Sequence, residues 1–424
     1  MRQADKPPLA TAILKHATLP EVEADVVRTE HYVLDGGSLL HRPMWTKGMS
    51  YEEIATQYCT FTLRCYTNVS VVFDGYTDGP SIKDSTHCRR QRAKGANLIS
   101  VTPNVISNGK REDFLSENSN KQALIGLISE TMTTNGKQVI HASSDADVLI
   151  CKEAIMSSKE KSTTLIGEDT DLLIICLYYS WQFGLYQWHK LYFRSDKRSV
   201  KNVYDIHELS RRLGEYCQYL PFLHALTGCD CTSRLYGIGK EKAFEKLFSS
   251  ELVLLDCAKV FSTANQSSEV SMEAGERASC ALYDTAKSTS IQKLRCKLFA
   301  KKVTNATSFV HPEKLPPTTS AAKYHSLRTY YQVMVWCGTE IDMDPLDWGW
   351  HLENGRFASV LADIPPAPDS LLKIIHCGCK SGCETLRCGC RKMGFECSSA
   401  CGPCQTSNCT NATQAQCDDD DDDV

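Results

Sequence analysis

The sequence predicts an α/β protein built on a parallel sheet flanked by helices. Two observations support this fold class. Short apolar runs typical of buried strands alternate with longer segments whose apolar residues recur at helical spacing. An aspartate also follows most candidate strands, and the carboxyl ends of parallel strands lie along one edge of a sheet, where sites assemble. At 424 residues, the chain is long enough for roughly two to three packed units.

The first strand, helix and strand lie between residues 31 and 74. "HYVLD" predicts a short strand that ends at Asp35. "SYEEIATQYCTFTLRCY" predicts a helix, with Ser50 as its N-cap and Glu53 at the capping-box position. "NVSVVFD" predicts a second strand that ends at Asp74. This order of elements favours parallel pairing of the two strands.

Further acidic turns follow. "KQVIHASSDADVLICKEAI" predicts a strand, a turn with Asp145 and Asp147, and a helix. "STTLIGEDTDLLIICLYY" predicts a strand, an acidic turn with Asp169 and Asp171, and a second buried strand over residues 172–179. A helical segment broken by proline then leads into the sequence "TGCDC", which contains a further aspartate.

These turns would bring seven carboxylates to one edge of the sheet. Carboxylates packed within a few ångströms repel each other, so a fold keeps them together when a cation lies among them. Oxygen ligands with open positions suit Mg²⁺ or Mn²⁺, and two such ions can activate water and stabilise the leaving oxygen of a phosphodiester. For any single aspartate the alternative is an ordinary N-cap or turn residue. The predicted cluster comprises Asp35, Asp74, Asp145, Asp147, Asp169, Asp171 and Asp230.

The order and neighbours of these aspartates resemble the flap endonuclease family of structure-specific nucleases, a branch of the PIN-like superfamily. The similarity spans about residues 30–248 and includes "VVFDGY", "HASSDADVLICKEA", "GEDTDLL" and "LTGCDCTSRLYGIGKEKAFEKL". It implies a PIN-like parallel sheet with a helix-two-turn-helix element. It also implies a metal-dependent nuclease that cuts phosphodiester bonds in DNA, as a structure-specific endonuclease or 5′ exonuclease, by a two-metal mechanism.

The resemblance also implies a role for each aspartate. One Mg²⁺ or Mn²⁺ ion would be held by Asp35, Asp74 and Asp147, with Asp145 acting through water. The other ion would be held by Asp169, Asp171 and Asp230. The family's paired glutamates are aspartates in this chain, one methylene shorter, and Cys231 stands where the family has a tyrosine.

Basic and glycine-rich segments provide candidate DNA contacts. By the same resemblance, Lys83 and Arg90 match the basic helix that contacts the scissile phosphate, where a cation stabilises developing negative charge. A solvated basic face is the alternative. The "GIG" turn before an amphipathic helix allows main-chain N–H groups to meet a phosphate. The predicted DNA-binding residues of this turn are Gly237, Ile238, Gly239 and Lys240.

Cysteine is the strongest compositional signal, with 22 in the chain and ten of them from residue 377 onward. In an intracellular chain such crowding favours metal binding over disulfides. Nine thiolates provide the twelve ligands of three tetrahedral zinc ions if three thiolates bridge. The pattern resembles the tesmin/TSO1-like CXC domain, a DNA-binding zinc module, and the motif that precedes SET methyltransferase domains. The predicted zinc ligands are Cys377, Cys379, Cys383, Cys388, Cys390, Cys397, Cys401, Cys404 and Cys409.

The cysteine-rich segment has two possible roles. Arg387 stands where the CXC family has a DNA-contacting tyrosine, and an arginine can enter a narrow minor groove. The segment would then bind DNA. The alternative is a structural knot that supports protein contacts.

The predicted organisation has five parts. They are an N-terminal extension (1–28), a nuclease-like domain (29–248), a helical extension and connector (249–376), the zinc module (377–411) and an acidic disordered tail (412–424). No apolar run approaches the roughly 18 residues of a membrane span, and the first twenty residues lack an apolar signal core. We therefore expect a nuclear protein without a membrane partner. Branched or single-stranded DNA is the expected partner, with RNA as the alternative, and the alternative function is nucleic-acid or protein binding without cleavage.

Overall fold

The computed structural model describes residues 3–19, 27–75, 81–83, 98–184, 188–196, 202–249, 252–283, 290–305, 314–340, 343–363, 377–379, 382–392, 394–397, 401, 404 and 409–412. A six-stranded sheet has the order β3-β2-β1-β4-β5-β6. All neighbouring pairs are parallel except β5 and β6, which are antiparallel. The predicted α/β class is confirmed. The strands are β1 (His31–Asp35), β2 (Val69–Phe73), β3 (Gln138–His141), β4 (Thr163–Ile166), β5 (Leu191–Ser195) and β6 (Asn202–Asp205).

Helices flank the sheet, and a two-stranded antiparallel hairpin occurs later in the chain, between the last two described helices. Among the described residues, no helix is both long enough and apolar enough to cross a lipid bilayer. The hairpin strands are β7 (Trp350–Glu353) and β8 (Arg356–Ser359). The helices are α1 (Pro7–Ala17), α2 (Gly36–Leu39), α3 (Tyr51–Cys65), α4 (Arg111–Leu115), α5 (Asn118–Thr134), α6 (Asp147–Ser157), α7 (Thr170–Gln182), α8 (Ile206–Leu213), α9 (Leu220–Leu226), α10 (Lys240–Phe248), α11 (Leu252–Phe261), α12 (Ser268–Tyr283), α13 (Ile291–Asn305), α14 (Thr319–Cys337) and α15 (Gly389–Lys392).

The sheet separates two hydrophobic cores. Successive side chains of a strand point to opposite faces, so Val33 and Leu34 of β1 belong to different cores. The Leu34 core includes buried residues of α3 and α5. The Val33 core is larger and includes residues of α1, α6, α7 and α9. Both faces are covered, as parallel sheets require.

The acidic turn at residue 169 is followed by a helix, which corrects the predicted strand over residues 172–179. Every residue from Thr170 to Ser180 is buried, so the segment has no polar face and its sequence lacks the helical period. The strand that pairs in the sheet is β4, which precedes the turn. The acidic turn therefore lies between the carboxyl end of β4 and the N-terminus of α7.

The other local predictions near the sheet agree with the structure. Ser50 caps α3, and its side chain and that of Glu53 form a complete capping box. Helix α1 packs against α7, α8 and α10. Leu9 and Ile13 of α1 are fully buried, and burial of such side chains contributes about 1.5–3 kcal/mol each. Helix α1 is thus packed firmly against the sheet domain.

Helix α14 joins the later helices to the same body. It packs against α9 and α12, and Trp336 on α14 is buried at 2% exposure. Its N-cap, Thr318, accepts a hydrogen bond from the N–H of Ala321. The helical region after residue 249 therefore contributes to the larger core.

Candidate metal centre

The acidic turns meet at the carboxyl ends of the parallel strands. Asp35 ends β1, and its carboxylate accepts hydrogen bonds from the N–H groups of Gly37 (2.8 Å) and Ser38 (3.2 Å). Asp74 follows β2 and accepts from the N–H of Ala146 at 3.0 Å. Burial, together with the neighbouring Asp74 carboxylate, raises the pKa of Asp35 to about 6. Asp35 thus caps α2 and also faces a second acid.

The Asp145 and Asp147 carboxylates, here called the acidic pair, hold a lysine. Lys83 Nζ lies 2.6 Å from Asp145 Oδ2 and 3.0 Å from Asp147 Oδ2. Burial and the neighbouring Asp145 raise the pKa of Asp147. Burial alone would lower the pKa of Lys83, but the acidic pair outweighs it and raises that pKa. The lysine predicted to face a phosphate therefore forms ion pairs with two predicted metal-site acids.

The carboxylates of Asp169, Asp171 and Asp230, here called the acidic triad, surround a second lysine. Lys6 Nζ lies 2.8 Å from Asp169 Oδ2, 3.0 Å from Asp171 Oδ2 and 3.2 Å from Asp230 Oδ1. One oxygen from each of the three carboxylates lies within 4.8 Å of the others. The triad therefore encloses one position that a cation can occupy.

The acidic triad fits a divalent ion in ligand type and in charge. Its ligand atoms are carboxylate oxygens, which Mg²⁺ and Mn²⁺ prefer, and an ammonium group already marks the cation position. The first predicted set is different. Among the described residues, Asp35, Asp74 and Asp147 do not form a group as compact as the triad. The structure thus brings together one of the two predicted ligand sets.

A buried histidine that no sequence motif indicated lies behind the triad. His224 on α9 is fully buried, and its Nε2 atom lies 2.6 Å from Asp171 Oδ1. Burial lowers the pKa of His224 to about 4. Burial would raise the pKa of Asp171, but Lys6 and the hydrogen bond from His224 outweigh it and hold that pKa well below its ordinary value. Asp171 is therefore an ionised carboxylate supported from two sides.

Asp169 has two functions in the structure. Its side chain caps α7 by accepting a hydrogen bond from the N–H of Asp171 at 3.2 Å, and it also contacts Lys6. Burial and the nearby Asp171 carboxylate raise the pKa of Asp169 to about 6. Asp169 and Asp35 are therefore helix N-caps, as the alternative interpretation predicted, and both also belong to the acidic cluster.

The glycine-rich turn lies between α9 and α10, which contact each other. Gly237 and Gly239 are exposed, whereas Ile238 is buried. Gly237 has φ +69°, a conformation that favours glycine. A Cβ added at either glycine would meet open space. The main chain of the turn is accessible, and its contact with a phosphate stays a prediction.

The side chain of Lys240 is turned inward, so the predicted DNA contact at this residue is left to its main chain and stays a prediction. This side chain is 3% exposed, and its ammonium donates to His224 O (2.9 Å), Thr227 Oγ1 (3.0 Å) and Gly228 O (2.7 Å). Burial lowers the pKa of Lys240 to about 7. The physical reason for its position is that the carbonyl groups at the end of α9 need donors, and a lysine can satisfy them. Arg90, the other predicted basic contact, lies outside the described residues.

The nine C-terminal cysteines form one cluster. Cys377 Sγ lies 3.6 Å from Cys383 Sγ and 3.8 Å from the sulfur atoms of Cys397 and Cys404. These distances exceed the roughly 2.05 Å of a disulfide bond and suit thiolates around a metal. Arg387 is exposed beside the cluster. Sulfur atoms close enough to share an ion form three groups, namely Cys377, Cys388, Cys390 and Cys397; Cys377, Cys379, Cys383 and Cys388; and Cys377, Cys383, Cys397 and Cys404.

Two residues of the site had little signal in the sequence. Lys6 lies 163 residues before Asp169, in a segment with no motif. His224 is one polar residue in the apolar run "LPFLHALTG", six residues before Asp230. A buried polar side chain needs a partner, which is the one signal that favours a role for this histidine.

The comparisons with known proteins give a weak structural likeness. No protein-family model and no curated protein matches the chain. The catalytic core of Rad2 in complex with a DNA substrate is similar at 14% identity and a TM-score of 0.36, over 68% of this chain and 77% of that chain. Flap endonuclease-1 from Methanococcus jannaschii is similar at 14% identity and a TM-score of 0.33, over 74% of this chain and 98% of that chain. Function must therefore be inferred from the residues of the site itself.

Proposed function

We propose that this chain is a divalent-metal-dependent nuclease that hydrolyses phosphodiester bonds in DNA, as a structure-specific endonuclease or 5′ exonuclease. One observation carries the proposal. Carboxylates from separate turns gather at the carboxyl ends of the strands, and two ammonium groups already lie among them. Divalent ions bound at such a site would activate water and stabilise the leaving oxygen.

We propose a role for each acid of the site and for Lys83. The acidic triad would hold one Mg²⁺ or Mn²⁺ ion, because its three oxygens enclose a cation position. Asp35, Asp74 and Asp147 would hold the other, with Asp145 acting through water. Lys83 would supply positive charge beside the reacting phosphate, since its ammonium lies at the same edge as the acids.

The cysteine cluster would direct the nuclease to its DNA substrate. We propose that it binds about three zinc ions and that Arg387 on its exposed surface contacts DNA. The exposed main chain of the turn at residues 237–239 would contact a phosphate independently of sequence. A nuclear location completes this proposal, because DNA is the proposed substrate.

A second function is favoured by one specific observation. The ammonium groups of Lys6 and Lys83 form ion pairs with the acidic triad and the acidic pair and offset part of their negative charge. Such an arrangement suits a protein that keeps a nuclease-like site and binds nucleic acid or a protein without cutting it. Cleavage assays separate the two functions.

The test uses the full chain with labelled 5′-flap, hairpin and linear DNA and with RNA of matched sequence, in Mg²⁺ or Mn²⁺. We expect cleavage of DNA that stops on chelation. Asp171→Asn keeps the side-chain volume but removes a ligand charge, and should reduce the rate more than about 100-fold, beyond the loss typical of second-sphere changes. Glu168→Gln is the matched control, because Glu168 lies beside the triad in sequence but contacts Arg42 at 3.9 Å. Its rate should stay near that of the wild type.

The outcomes are distinct. Equal inactivity of wild type and Asp171→Asn on every substrate, with unchanged DNA binding, would establish the binding function instead. Cleavage of RNA alone would support a nuclease whose substrate is RNA rather than DNA. A cleavage rate that Asp171→Asn leaves unchanged would point to a contaminating enzyme.

A further inference from the structure

Lys6 occupies the one position that the acidic triad offers to a cation. Its ammonium contacts all three carboxylates at 2.8–3.2 Å, and the side chain is only 14% exposed. The residue comes from a segment that precedes the sheet in the chain and that no acidic motif includes. The contact therefore needs a structural explanation of its own.

The segment around Lys6 is seated by specific packing. Lys6 is the N-cap residue of α1, whose Leu9 and Ile13 are fully buried. Ala4 packs against Gly228, where a Cβ added to the glycine would lie 2.7 Å from Ala4 Cβ. Gly228 also has φ +110°, a conformation that side chains other than glycine rarely adopt. The backbone that carries Lys6 is thus fixed next to the triad.

The charges explain why the ammonium stays there. Three carboxylates in a largely buried position repel each other, and one positive charge among them reduces that repulsion. A lysine side chain is ordinarily protonated near neutral pH, and the three contacts hold its positive charge among the carboxylates. The ammonium therefore offsets part of the negative charge of the triad.

We infer that Lys6 is an internal competitor of the divalent ion at the acidic triad. This inference rests on the metal site of the proposed function. An ammonium and a divalent cation cannot contact the same three oxygens together, because they would lie close enough to repel strongly. Binding of the ion therefore requires the Lys6 side chain to leave. Because α1 fixes the backbone, the side chain rotates away while the helix remains docked.

The first test measures the reactivity of Lys6 in the wild-type protein. An amine-acylating reagent is applied with and without saturating Mn²⁺, and labelled lysines are quantified by mass spectrometry. We expect severalfold more labelling of Lys6 with Mn²⁺. Lys15 is the accessible control, with 71% of its side chain exposed, and the buried Lys240 is the protected control, at 3%. Neither control should change.

The second test measures Mn²⁺ affinity by electron paramagnetic resonance. Mn²⁺ binding at the acidic triad is measured as the binding that Asp171→Asn removes, both in the wild type and in each Lys6 variant. This difference leaves out Mn²⁺ ions bound to the acidic tail or to the thiols. Lys6→Met should bind Mn²⁺ at least about tenfold more tightly than the wild type, because the competitor is gone. Lys6→Arg keeps the charge and should not show this gain.

The outcomes separate this inference from the proposed function. Equal Mn²⁺ affinity of wild type and Lys6→Met, or Lys6 labelling that saturating Mn²⁺ leaves unchanged, overturns the competitor role while the metal site stands. Absence of Asp171-dependent Mn²⁺ binding in both proteins overturns the metal site and the inference together. If Lys6→Met does not fold, the labelling of the wild type decides.

Discussion

His224 Nε2 lies 2.6 Å from Asp171 Oδ1, and both side chains are buried. Since burial lowers the pKa of His224 to about 4, the imidazole is neutral near neutral pH and its Nε2–H donates to the carboxylate. The other oxygen of Asp171 faces Lys6. The histidine therefore fixes the orientation of the one triad member that is almost completely buried.

We expect His224→Leu to weaken Mn²⁺ binding at the acidic triad by about 10- to 100-fold, the usual cost of losing a second-sphere partner. His224→Gln places an amide donor near the position of Nε2 and should recover part of the affinity. The measurement is the Mn²⁺ dissociation constant, with thermal stability followed separately. Identical constants for His224→Leu and wild type would exclude a positioning role.

Lys240→Ala should lower stability and leave DNA affinity unaffected. The substitution removes three hydrogen bonds to acceptors at the end of α9, and unpaired buried acceptors cost about 1–3 kcal/mol each, partly relieved by water. Lys242→Ala is the matched control, because Lys242 is exposed on the same helix. Urea unfolding and DNA titration check both parts. A loss of DNA affinity at full stability would show that the side chain of Lys240 takes part in DNA binding.

Stability should fall on acidification because of His325. Burial, with a contribution from Arg328, lowers the pKa of this histidine from 6.5 to about 4, and its Nε2 atom hydrogen-bonds to Leu226 O at 2.9 Å. Between these two pKa values the unfolded chain binds a proton that the folded chain does not. The contribution of neutral His325 to the free energy of unfolding is therefore complete above the unfolded pKa and is lost as the pH falls.

For this histidine we expect a loss of about 2 kcal/mol between about pH 7.5 and about pH 5. His325→Gln, which cannot titrate, should show a correspondingly weaker pH dependence. Urea unfolding of both proteins at the two pH values measures the difference. Parallel pH profiles would show that His325 does not contribute.

Substitution of Cys377 should remove more zinc than substitution of Cys379. Cys377 belongs to all three groups of sulfur atoms that can share an ion, whereas Cys379 belongs to one. We expect about three zinc ions in the wild type, a loss of most of them in Cys377→Ser and a smaller loss in Cys379→Ser. Elemental analysis of the purified proteins gives the counts. Equal losses of zinc would mean that Cys377 does not bridge several ions. A wild type without zinc would contradict the prediction of a zinc cluster.

The strands and their acidic ends were predictable from the sequence because their signals are local. β1 and β2 are short runs rich in apolar residues; β1 ends at Asp35, and β2 is followed directly by Asp74. The Ser50 capping box is also a local signal, since both partners lie within one helical turn. Parallel pairing then brings the acids to one edge without further information.

The remaining features depend on tertiary contacts. α7 is buried on all sides, so its apolar residues do not recur at the spacing that would distinguish a helix from a strand. The Lys240 side chain is directed inward by unpaired carbonyl groups that exist only after α9 has formed. Lys6 reaches the triad from another part of the chain, and nothing near residue 6 encodes that contact.

The contact between Lys6 and Asp169 spans 163 residues of sequence and has a consequence for folding. Closing so long a loop is entropically unfavourable, and proteins rich in such distant contacts fold slowly. β1 and β4 must pair, and α7 must form, before the triad exists for the ammonium to meet. We therefore expect the contact of Lys6 with the triad to form late in folding, so that until then the nascent sheet carries its crowded negative charges without the cation that offsets them.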